Sequence, residues 1–150
     1  MSKKKTIFIL IFILLLLCVG VFFSYKFING KNTYSNIIQA NWEVELPLEY
    51  KEIYSIDSGL SFLGDGERYH IFEYDNKDEI EEALNWQSGK NIIMESSVIS
   101  ILKALKVQDE YIPKLEGDYK YYFKTKNDSS MLYIVFSEEA NRVYIVEDIR

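Results

Sequence analysis

From Thr6 to Phe23 the chain runs eighteen positions without a charge, TIFILIFILLLLCVGVFF, directly after Lys3, Lys4 and Lys5. At about 1.5 Å of rise per residue such a run makes a helix ~27 Å long, close to the hydrocarbon thickness of a bilayer. The pattern predicts a transmembrane signal anchor over residues 6–28. Three lysines and the terminal amine precede the run, against Lys26 and Lys31 after it, so the positive-inside rule leaves residues 1–5 in the cytoplasm and exports the rest. Phe22, Phe23, Tyr25 and Phe27 fall where an outer aromatic belt belongs.

Beyond the anchor the period changes. Residues 29–36, NGKNTYSN, are polar and turn-rich and read as a juxtamembrane linker to an exported domain over 37–150. Between Ile37 and Leu48 the reading is open, with WEVEL alternating like a strand that Pro47 ends. Short strands follow at Glu52 to Ile56 and from Leu60 to Leu63, then a turn at Gly64-Asp65-Gly66 and a strand over Arg68 to Tyr74. Asn76 and Glu79 have capping-box spacing, and Ile80, Ala83, Leu84 and Gln87 share a helical face that stops at Ser88-Gly89. Val98, Ile101, Leu102 and Leu105 follow the i, i+3, i+4, i+7 pattern of a second helix, with Ser96 or Ser97 as cap and Pro113 beyond its end. Three strands close the chain at 119–126, 131–137 and 142–147, joined by polar connections that suit an antiparallel meander.

The order β-β-α-α-β-β-β predicts an α+β domain, an antiparallel sheet with two helices over one face. In 131–137 both alternating sets are apolar, as expected of a central strand. Whether the first hairpin joins the meander is left open by the pattern.

Two processing alternatives bear on the anchor. Signal cleavage would release a secreted form, but VFFSYKFING after Gly20 lacks the small-residue pair that cleavage favours. Lipid modification at Cys18 would call for a small residue before it, where Leu17 stands, so Cys18 reads as a membrane-helix side chain. It is the single cysteine, so the exported domain has neither disulfides nor thiolate metal sites. Five of the 17 basic residues lie in 1–31, leaving 12 against 23 acids, a net charge of −11 that disfavours nucleic acid. Abundant Ile, Asn, Tyr and Lys with scarce Pro fit AT-rich codons, as in a low-GC Gram-positive bacterium.

The segment GDGERYHIFEY, with Trp86 and the Tyr144 to Glu147 stretch, resembles small uncharacterised Gram-positive proteins. Those proteins combine an N-terminal membrane anchor, a GDG turn and an α+β exported domain. The resemblance spans most of the exported domain and implies no activity.

Asp65, Glu67, His70 and Glu73 invite a metal hypothesis, but in a strand Glu67 and Glu73 face one side and His70 the other. Gly64, Asp65 and Gly66 therefore read as a structural turn that uses positive φ. One histidine, no exported cysteine and no nucleophile or Walker motif leave no catalytic, cofactor-binding or metal residue singled out. Tyr119, Tyr121, Tyr122 and Tyr133 form a candidate aromatic binding face, against a reading as β-propensity and core packing. The sequence thus points to a membrane-anchored, extracytoplasmic binding, envelope accessory or immunity-type module whose partner is an envelope protein or peptide. The alternative is a carboxylate-dependent cell-envelope hydrolase.

Overall fold

The computed structural model describes residues 12–21, 33–59 and 64–150. Residues 12–21 are helical (α1), and all ten are exposed. No helix among the described residues is long and apolar enough to cross a membrane. The flanks of the expected anchor, 6–11 and 22–28, lie outside the described residues, as does the strand start expected at 60–63.

The folded domain is α+β, built on a six-stranded sheet in the order β1-β2-β6-β5-β4-β3, antiparallel throughout. The strands are β1 (Lys51–Asp57), β2 (Gly66–Glu73), β3 (Gln87–Ser88), β4 (Lys120–Thr125), β5 (Met131–Ser137) and β6 (Arg142–Ile149). Pairing of β2 with β6 settles the topology: the first hairpin joins the C-terminal meander in one sheet. Every side chain of β5 from Leu132 to Phe136 is buried, the signature of a strand covered on both faces.

Helices cover both faces, not one. The two expected helices lie on opposite faces, and the one that carries Ile80 is joined by an element that the pattern leaves unassigned, α2 (Tyr34–Trp42). It lies over Phe72, Leu132, Ile134, Phe136, Val143 and Ile145, burying Ile38 and Trp42 completely or nearly so. The packed domain therefore takes in Tyr34–Asn36, three residues that the pattern gives to the linker. After the helix, Trp42, Val44 and Leu46 are buried while Glu43 and Glu45 are exposed. The alternation of WEVEL is real, but the segment lies across the sheet as an extended strap and pairs with no strand. α3 (Lys77–Ala83) shares this face through Ile80, and Trp86 donates Nε1–H to the Ile80 carbonyl at 2.8 Å. The helix ends earlier than expected, at Ala83, because 87–88 is drawn into the sheet edge as β3. Asn76 does cap it, with its side chain accepting from Asp78 N–H.

The other face carries α4 (Ile92–Ala104), with Met94, Val98, Ile101 and Leu102 packed on Tyr69, Ile71, Tyr133, Val135, Tyr144 and Val146. The expected stripe is correct but the cap is not Ser96 or Ser97. Asn91 accepts from Met94 N–H at 3.0 Å, so the helix starts a turn earlier. At its C-terminus Lys106 adopts φ 57°, and the amides of Val107 and Lys106 donate to Leu102 and Lys103 carbonyls. That is a Schellman closure, sealed by buried Val107 against Leu102. A short 3-10 helix, Asp109–Tyr111, completes the cover, where Tyr69 donates its hydroxyl to the Tyr111 carbonyl.

Gly64 and Gly66 hold φ of 77° and 129° in the β1–β2 connection. A Cβ on Gly66 would lie 2.3 Å from Ser58 Oγ, which itself accepts from Glu67 N–H. Gly66→Ala is expected to cost about 1–3 kcal/mol in chemical denaturation, from backbone strain and this clash together. A loss below about half a kcal/mol, the range of ordinary surface substitutions, would show that the turn relaxes freely.

Candidate functional site

Two places on the domain gather polar chemistry. The first is a corner where α2 meets β1, β2 and β6. Glu147 points to the α2 face, in the same alternating set as Val143 and Ile145, and is fully buried. Burying a carboxylate is tolerable only with hydrogen-bond donors around it. Tyr34 donates its hydroxyl to Oε2, and Trp42 donates Nε1–H to Oε1 at 2.5 Å. Each end of α2 therefore supplies one donor, and Arg68, cross-strand from Glu147, acts to lower the Tyr34 pKa. Burial first, then Glu147, pushes the Tyr34 phenol well above its ordinary range. Lys124 fixes the far end of the helix, donating to the Trp42 carbonyl at 2.6 Å, and Lys126 lies over the Trp42 ring.

His70 sits beside this clamp. Its ring stacks on Tyr34, with centroids 3.3 Å apart and planes at 21°. Nδ1 lies 2.5 Å from Glu52 Oε1. An ionised carboxylate can only accept, so in that state of Glu52 the proton of this bond is on Nδ1. Glu52 reaches the imidazole because β1 carries a bulge at Ile53: the register jumps from Glu52↔Phe72 to Tyr54↔Ile71. Glu52 is thereby turned to the α2 face while Tyr54 and Ile56 pack under the α4 face. Burial pulls the His70 pKa down, opposed by the nearby carboxylates of Glu52 and Glu147 and reinforced by Arg68.

The second place is a groove at the opposite end of the strands, enclosing about 750 Å³ between the 88–90 turn, the 115–120 segment and Glu138–Glu139. Beside it Lys77 and Lys120 each bridge Glu81 and Glu138, at 2.8 to 3.3 Å, in a closed square of alternating charge. The two lysines hold the Glu138 and Glu81 carboxyls below their ordinary range. Ile92 and Ile93, in the first turn of α4 just after the 88–90 turn, are 71% and 83% exposed.

The tyrosines named from the sequence do not form one exposed platform. Tyr121 and Tyr122 are neighbours in β4 and so face opposite sides. Tyr119, Tyr121 and Tyr133 are buried in the α4-side core, whereas Tyr122 packs on the α2 side. Tyr119 donates to Glu95 at 2.5 Å, and its phenol is pushed up to about 12, chiefly by burial. The acids around the GDG turn also separate. Glu73 pairs with Arg142 at 2.8 Å on the α4 side of β2, and His70 turns to the α2 side. Among the described residues no group of three or more His, Cys, Asp or Glu could hold a metal ion.

Tyr34, Trp42, Glu52 and Glu147 escape a reading of the sequence by local motif. They are brought together over separations as large as 113 residues. One signal was available for Glu147: it stands at an inward position of the alternating RVYIVED strand. The chain matches no protein-family model, and neither curated proteins nor solved structures show a significant similarity to it.

Proposed function

We propose that this protein is a single-pass membrane protein whose α+β domain works outside the cytoplasm as a non-catalytic binding, envelope accessory or immunity-type module. The observation that carries the membrane part is α1. Its eight large apolar side chains, Phe12 to Leu17, Val19 and Val21, are 48–69% exposed around the whole helix, while the domain from Tyr34 onward buries its own core. A helix that is apolar on every side has lipid as its natural solvent. Lys3 to Lys5 before it supply the orientation. The same arrangement is what the resemblance to small anchored Gram-positive proteins implies.

The binding part draws on the groove, with the exposed Ile92 and Ile93 beside it. An envelope protein or peptide with cationic and apolar side chains suits its carboxylates at Glu116, Asp118 and Glu139. The hydrolase alternative asks for a carboxylic acid kept protonated near neutral pH. In the groove, Lys77 and Lys120 pull the Glu138 carboxyl the other way.

Alkaline extraction of membranes tests the anchor. The full chain is expected to stay in the pellet, and the pair Leu14→Lys, Leu16→Lys is expected to release it, at about 2.5–3.5 kcal/mol per central charge. Extraction of the unaltered chain into the supernatant would sink the membrane reading. Crosslinking in intact cells through a photoreactive residue at position 93 tests the groove, where the expected product is a discrete adduct lost in Glu116→Lys, Glu139→Lys.

A further inference from the structure

We propose that His70 makes the docking of α2 dependent on pH: the neutral imidazole supports Tyr34 over Glu147, and proton uptake on acidification loosens the first turn of α2 from the sheet.

The chain contains one histidine, and imidazole is the side chain whose ordinary titration falls between pH 5 and 8. It lies where a change of charge is felt. Its side chain is 13% exposed, face to face with the residue that begins α2. That residue, Tyr34, uses its hydroxyl to satisfy the buried Glu147, so moving its ring uncovers a carboxylate held in the core. The neighbouring amide of Ser35 donates to the Tyr50 hydroxyl at 3.2 Å, and Ser35 Oγ to the Leu46 carbonyl at 2.9 Å. These bonds hold the same turn and open with it.

The charged and titratable groups that face the imidazole are Glu52 from β1, Arg68 from β2, Tyr34 from α2 and Glu147 from β6. Glu52 and Glu147 favour the cation, whereas Arg68 and, most of all, removal from water oppose it. The Phe72 ring, its centroid 6.3 Å from that of the imidazole and its plane at 63° to it, offers no hydrogen bond in place of water. The folded state therefore binds the imidazole proton less readily than the unfolded chain does. Stability from this group is fully present above the unfolded value of about 6.5 and is lost as pH falls below it. The loss enters the structure at Tyr34, the stacked partner. The device depends on this corner alone and holds whether or not the chain is anchored in a membrane.

With a single imidazole, its titration in the full chain in detergent micelles can be followed by NMR without ambiguity, alongside amide protection over residues 35–38. The expected result is a ring midpoint below 6.5, with protection at 35–38 falling through that midpoint while protection in β5 persists. In His70→Gln the pH dependence of residues 35–38 should vanish between pH 7 and 5. Should that variant fail to fold, Glu52→Gln serves instead, since removing the favourable carboxylate should move the midpoint further down. A midpoint at or above 6.5, protection at 35–38 indifferent to the titration, the same pH dependence in His70→Gln, or an unmoved midpoint in Glu52→Gln would each overturn the proposal.

Discussion

Trp42→Ala is expected to destabilise the domain by about 3–5 kcal/mol. The indole is 1% exposed and fills the space between α2 and the sheet. Its loss leaves a cavity and takes one of two donors from the buried Glu147. The two contributions are separable. Trp42→Phe keeps most of the ring and removes only the donor, and should cost about 1–3 kcal/mol. Replacing both donors and the acceptor together, as Tyr34→Phe, Trp42→Phe and Glu147→Leu, should recover part of that cost, because an unpaired buried carboxylate is worse than an apolar contact. Urea unfolding of the full chain, followed by the ellipticity of the whole sheet, measures each. A triple variant no more stable than Trp42→Phe alone would show that the clamp is worth more than the apolar contacts that replace it.

On the opposite face, Leu102→Ala is expected to cost about 2–5 kcal/mol. Leu102 is completely buried, packs α4 on the sheet and supplies both the carbonyl and the side chain of the Schellman closure with Val107. A cavity there weakens the helix end as well as the core. Ile93→Ala, in the first turn of the same helix but exposed, should change stability by less than about half a kcal/mol. Denaturant midpoints for the pair give the contrast directly, and equal effects would mean that the α4 stripe is not core.

The sequence announces most of what is local and periodic. The α4 stripe, the three C-terminal strands and the central place of β5 follow from spacing alone, since a period of 3.6 or 2 survives in any context that buries one face. α2 was hidden because its nine residues carry only two that are buried and apolar, Ile38 and Trp42, and because Asn and Ser at its start read as turn formers. Its helicity is decided by the sheet beneath it, a tertiary effect that no local window contains. The α4 cap is hidden for a related reason. Ser96 and Ser97 stand next to the apolar stripe, but Asn91 is the residue whose side chain meets a free amide. The corner at Glu147 is legible only after the fold is known, since a one-residue bulge at Ile53 decides which face Glu52 takes. Of the four tyrosines, strand alternation parts only Tyr122 from the rest, while Tyr119, Tyr121 and Tyr133 share a face that α4 covers.

The placement of the domain is tested most directly by protease added outside right-side-out membrane vesicles carrying the full chain with an epitope after Arg150. The account predicts loss of the epitope without detergent while a lumenal marker survives, together with a membrane-bound fragment that keeps Lys3 to Lys5. Protection of the epitope until detergent is added would contradict it.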